Sequence, residues 1–170
     1  MTLVRGLVFT SLLLLAVVLQ VSFFSYFSWS GVVPNIVLLL VVAAALTRGS
    51  EVAALLGFVG GMALDLVPPA DNVAGRWALA LMLVGYLAGR VRQDAGRSSV
   101  VALATVAAAS FVGTSVFALS GMLLRDPAIP VSEALSVIPT ALVYDLLLAP
   151  FVLPLATRMF RRVQPHQVAY

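Results

Sequence analysis

Apolar residues run in six long blocks, roughly 7–27, 32–47, 52–67, 75–91, 100–124 and 134–159, with charged residues and Pro, Gly and Ser collected in the gaps. The blocks lack the strict alternation of barrel strands, and backbone polar groups find no water in hydrocarbon, so the pattern predicts helices. A helix rises about 1.5 Å per residue against a hydrocarbon core of about 30 Å. The first, fifth and sixth blocks therefore cross with length to spare. The second, third and fourth are marginal, which fits helices shielded by neighbours or a locally thinned bilayer. The expected fold is all-α: a polytopic membrane protein, a compact bundle of about six transmembrane helices forming a single domain over 1–160, with a short polar cytoplasmic tail over 161–170.

Composition agrees: 62% of the residues are hydrophobic and 10% charged, where a soluble domain carries about a quarter charged. All ten basic residues are Arg. With an even number of spans both termini share one side, and eight arginines (Arg5, Arg48, Arg90, Arg92, Arg97, Arg158, Arg161, Arg162) then fall on it against two (Arg76, Arg125) on the other. The positive-inside rule makes that side cytoplasmic. The net charge of +3 is accounted for by this orientation and by attraction to anionic lipid, so no nucleic acid is needed as a partner. Tyr26, Trp29 and Trp77 fall at outer span ends, where an aromatic belt belongs. The first block follows a single Arg as a signal peptide would, but it is too long for an h-region and lacks a small-x-small cleavage site, so it is expected to be an uncleaved span.

The residue types exclude much chemistry. There is no Cys and no Lys, which removes thiolate and Cys-metal chemistry, a Ser/Lys dyad and a Walker-type loop. The one His, His166, sits in the polar tail. No cofactor or metal site is expected, and no catalytic residues. What remains is a set of groups at membrane depth. Ala53, Gly57, Gly61 and Asp65 recur every four residues and share one helix face; Gly57/Gly61 and Gly85/Gly89 are GxxxG pairs suited to close helix packing, within the chain or against a partner. Asp145, near the middle of the last block with Ala141 and Ala149 four residues to either side, is expensive in hydrocarbon. It is expected to face the interior as a structural hydrogen bond or as a partner or ligand contact. Gln20 reads as a buried interhelical hydrogen-bonding group, and Pro139, Pro150 and Pro154 should kink the last helix.

The run Pro34-Asn35-Ile36-Val37-Leu38, then Arg48-Gly49, then Gly57-Phe58-Val59-Gly60-Gly61-Met62-Ala63-Leu64-Asp65, resembles the rod shape-determining membrane protein MreD, especially its actinobacterial members. Gly75-Arg76-Trp77 through Gly89-Arg90 looks similar too. In that family a Pro-Asp or similar pair opens the second span, and Asn35 here stands where many members have Asp. The resemblance implies a non-enzymatic component of the bacterial elongation machinery in the cytoplasmic membrane, working with MreC, the MreB filament and the RodA/penicillin-binding-protein synthase. It also implies a fold similar to the substrate-binding subunits of energy-coupling-factor transporters, so a vitamin-capturing subunit is the alternative. Ala16, the only Ala in the first block, argues against the Ala-x-x-x-Ala docking patch of those subunits. Tyr144-Asp145 is like one motif of intramembrane aspartyl proteases, but Asp65 lacks the Gly-x-Gly-Asp context and precedes it in the chain, which weighs against an enzyme.

Overall fold

The computed structural model describes residues 2–28, 32–68, 73–91, 98–124 and 131–162. Among these, six α-helices follow one another: α1 (Thr2–Ser22), α2 (Ile36–Arg48), α3 (Ser50–Leu66), α4 (Arg76–Arg90), α5 (Ser99–Leu123) and α6 (Val131–Arg162), with a 3₁₀ turn over Phe24–Phe27. The chain is all-α.

Their arrangement follows from length and composition. Helix α2 is 13 residues long, about 20 Å, and apart from Leu46 and Arg48 every residue in it is buried. It contacts each of the other five helices. The unbroken apolar run Ile36–Ala45 has no polar face, and the other helices wrap it on every side. Helices α3 and α4 form an antiparallel hairpin against it, while α5 and α6 pack on each other and on α2. Gly49 makes the single-residue turn from α2 into α3 at φ 94°, a conformation that glycine adopts without penalty.

Large apolar side chains point outward: Leu14 and Val18 on α1, Leu55 on α3, Phe111 and Leu119 on α5, Phe151 and Leu155 on α6 are all exposed. The buried set holds Ala, Val and Leu together with Gln20, Asn35, Asp65, Arg76, Ser110, Thr114 and Asp145. Apolar surface outside and polar groups within is the reverse of a water-soluble monomer.

Two expectations change, both in the first block. The first block does not run as helix to Phe27: α1 ends at Ser22 and the 3₁₀ turn follows, with the Phe23, Phe24 and Phe27 rings packed on one another. Its apolar part, Gly6–Ser22, is correspondingly short, and among the described residues two helices, Ser99–Leu123 and Val137–Arg162, are long and apolar enough to cross by themselves. Helix α6 remains one helix of 32 residues with Pro139, Pro150 and Pro154 inside it, because the lost N–H donors fall in separate turns and leave the rest of each ladder intact. Trp29, Arg92, Arg97, Arg125 and residues 163–170 with His166 lie outside the described residues.

Candidate functional site

The intramembrane polar residues collect at two helix N-termini. A helix begins with backbone N–H groups that have no partner within it, and where water is absent each unsatisfied group costs several kcal/mol. The first turns of α2 and α4 are buried at Ile36, Val37 and Leu38 and at Arg76 and Ala78, so the bundle has to supply acceptors.

At α2 the N-cap residue and two other helices do so. Asn35 is the N-cap, and its Oδ1 accepts from Leu38 N at 2.9 Å. Gln20 from α1 accepts through Oε1 from Val37 N at 3.0 Å. Asp145 from α6 accepts through Oδ1 from Asn35 N at 2.9 Å and through Oδ2 from the Ser110 hydroxyl of α5 at 2.7 Å. Asp145 thus takes the role of the reaching carboxylate in a capping box, supplied from 110 residues away. It is 1% exposed. One of its oxygens thus faces an amide and the other a hydroxyl. An N-cap needs a short side chain with an acceptor oxygen, which Asn and Asp both provide. Asn35 meets that need with its Oδ1. Pro34, buried just before the cap, holds φ near −65° and keeps the preceding residue extended.

At α4 the N-cap is Gly75, in the left-handed region at φ 100°, with no side chain of its own to cap the helix. Asp65 at the end of α3 takes over, accepting from Gly75 N at 2.9 Å and from Trp77 N and Ala78 N at 3.2 Å. Three orphan donors meet one carboxylate, whose charge also suits a helix N-terminus.

Between these ends α3 and α4 lie closer than side chains ordinarily allow. A Cβ on Gly57 would collide with the Leu81 carbonyl, one on Gly61 with the backbone of Trp77 and Ala78, one on Gly85 with the Ala53 carbonyl, and one on Gly89 with the Ser50 backbone. The two glycine pairs therefore lie in succession along one antiparallel seam, Gly89 and Gly85 against Ser50 and Ala53, then Gly57 and Gly61 against Leu81 and Trp77, with Asp65 ending it. Gly60 is turned elsewhere, and a Cβ there would lie 2.8 Å from the side chains of Leu13 and Val37. Gly6 faces open space.

Sequence reasoning missed Ser110, Thr114 and Arg76 as interior groups, and Arg48 as a part-buried one. Arg76 is 2% exposed; its guanidinium lies 4.0 Å from the Phe117 ring centre and donates to the Phe117 carbonyl at 3.0 Å. At the opposite end Arg48 donates to the Phe160 carbonyl at 2.8 Å and lies over the Phe9 ring. No local signal separates these arginines from solvated ones. Ser110 recurs four residues before Thr114, whose hydroxyl donates back to the Ser110 carbonyl, a spacing that marks one helix face. Asn35 before an apolar run is a readable N-cap signal.

A cavity of about 340 Å³ adjoins the α2 cap, lined by Gln20, Asn35, Trp77, Thr114, Phe117 and Ala141 among others. Trp77 stacks on Phe117 with ring centres 4.3 Å apart. The acidic side chains at the two caps accept from backbone groups at the starts of different helices.

Compared with known proteins, residues 1–162 match the family model of the rod shape-determining protein MreD. No curated protein and no solved structure matches the chain.

Proposed function

Because the chain belongs to the family of the rod shape-determining protein MreD, membrane proteins that serve cell shape rather than a known enzyme activity, we propose that it is a non-enzymatic scaffold of the bacterial elongation machinery. In this reading it binds MreC in the cytoplasmic membrane, beside MreB and the RodA/penicillin-binding-protein synthase, and helps direct lateral peptidoglycan synthesis. The bundle crosses the membrane six times with both termini cytoplasmic.

One observation carries the scaffold reading. The described carboxylates of the interior, Asp65 and Asp145, cap helices, while the outward surface is apolar on α1, α3, α5 and α6. Such a body has a rigid interior and presents faces to lipid or to the spans of other proteins. The orientation is supported by the end-to-end grouping of charge. Arg48 meets Phe9 of α1 and the Phe160 carbonyl of α6, and Gly89 beside Arg90 packs on Ser50, so the arginine-rich ends gather together.

The test is recovery of partners from gently solubilised membranes with the chain as bait, alongside cell shape after its depletion. A bitopic MreC-like protein and rounded cells are expected. Recovery of ATPase and coupling subunits without the bitopic protein would replace this reading with the transporter one.

A further inference from the structure

A second cavity, of about 450 Å³, opens where α2 ends, α5 begins and α6 ends, and its size is that of a small-molecule pocket. Its α6 wall is a single helix face. Ala149, Leu153, Thr157 and Arg161 line it at intervals of four residues, passing from buried Ala and Leu through part-buried Thr to exposed Arg. From Ala149 to Arg161 the helix rises about 18 Å, so the cavity is a groove reaching well into a hydrocarbon core of about 30 Å.

The two ends of the groove differ in kind. Deep inside, Leu103 of α5 joins Ala149 and Leu153 as apolar surface. At the mouth the lining is Arg161 with the hydroxyls of Ser98 and Ser99 where α5 begins. Thr47 and Thr157 donate to carbonyls of their own helices, whereas Ser98 Oγ accepts from Val100 N at 3.2 Å and keeps its proton to donate. Among the described lining residues Arg161 alone is charged, and none is Asp or Glu. The mouth therefore favours an anion and offers no carboxylate to an ammonium group. A guanidinium beside hydroxyl donors suits a phosphate, and an apolar groove leading from it into the membrane suits an acyl chain.

We propose that this groove holds an anionic phospholipid of the cytoplasmic leaflet, its phosphate against Arg161, Ser98 and Ser99 and an acyl chain along Leu103, Leu153 and Ala149. From the scaffold reading it takes only the orientation that puts the arginine-rich pole in the cytoplasm. A water-borne phosphate ester shares the headgroup chemistry but leaves the apolar length of the groove unused.

The test uses the full chain purified in detergent, with bound lipid counted by native mass spectrometry. The probes are dioleoylphosphatidylglycerol and dioleoylphosphatidylcholine, with glycerol phosphate as the soluble competitor. One phosphatidylglycerol should be retained per chain, about fivefold more tightly than phosphatidylcholine, the scale of one partly exposed ion pair. Glycerol phosphate in large excess should not displace it. Arg161→Gln should remove most of the preference. Arg158→Gln takes the same charge from the same pole at an exposed position outside the lining, and should leave the preference intact. Leu103→Trp, at a position 37% exposed, adds bulk to the groove and should weaken both lipids; should it fold poorly, the two arginine variants still decide the matter. The proposal is overturned if phosphatidylcholine binds as tightly as phosphatidylglycerol, or if both arginine variants lose the preference equally. Displacement by glycerol phosphate would also overturn it and assign a water-borne phosphate instead. No partner protein enters the measurement, so its failure is distinct from a failure of the scaffold reading.

Discussion

Asp145 shows how a single residue in hydrocarbon is judged by what its partners would lose. Its two oxygens serve Asn35 N and the Ser110 hydroxyl. Asp145→Asn keeps an acceptor for the amide, and Ser110 can turn its hydroxyl to accept from the new NH₂. Asp145→Leu strands both donors, at about 1–3 kcal/mol for each buried group left unpaired. The expected outcome is near-normal thermal stability and partner recovery for the Asn variant and loss of one or both for Leu. Equal failure of the two would mean that the ionised carboxylate itself is required. Asp65 permits a parallel comparison. Asp65→Ala removes the acceptor of three backbone donors and should lower stability by more than the roughly 0.5–2 kcal/mol typical of one cap, read as a shift in the unfolding midpoint of the purified protein. A shift no larger than that of an exposed control would remove Asp65 from its capping role.

At the scale of elements, the α3–α4 hairpin is held by backbone approach, so the nature of the obstructing atom decides the effect of a substitution. Cβ atoms at Gly57, Gly61, Gly85 and Gly89 meet main chain, which can yield only by separating the helices. Gly57→Leu or Gly61→Leu should therefore prevent recovery of folded protein. Gly60→Ala meets only the ends of Leu13 and Val37 side chains and should cost about 1–3 kcal/mol, the usual range for overpacking. Gly6→Leu should be silent. Extraction yield and helical content across this series give the order directly; normal recovery of both Leu variants would show that the seam tolerates separation. Helix α2 carries a second lesson. Because it is short and buried on all sides, its N-terminus depends on α1, α5 and α6, and damage at any of Gln20, Ser110 or Asp145 should be felt at the same helix end.

For the whole molecule, the grouping of Arg48 with Phe9 and Phe160 at one end, and of Asp65, Arg76 and Phe117 at the other, gives the bundle two distinct poles. Reporter fusions at Tyr170 and Asp126 should lie on opposite sides of the membrane, with Tyr170 cytoplasmic; the same side for both would end the six-span arrangement. Inversion of polarity between interior and surface also predicts that the protein leaves the membrane only with detergent, not with high salt or alkali, since its exposed Leu, Val and Phe have no water-compatible arrangement. Release by alkaline washing would argue against spans.

How much of this was readable beforehand depends on the range of the interaction concerned. Helix positions are legible because burial in lipid requires long apolar runs, and the six blocks differ from the six helices by a few residues at most ends, the first block excepted. The glycine spacings and the unusual position of Asp145 are legible for the same local reason. The small-residue face ending in Asp65 is visible in the chain, but not that it meets the glycine face of α4, since that requires the hairpin register. Nothing near Asp145 in sequence announces Asn35, 110 positions away, or Ser110. Their meeting results from packing α5 and α6 around a short central helix whose N–H groups need acceptors. Sequence by itself determined the class of solvent, the helices and the inventory of polar groups, because these follow from hydropathy and residue type. Which carboxylate caps which helix, which arginine is buried, and where a cavity remains were decided only by tertiary structure, because each is a property of surfaces brought together from distant parts of the chain.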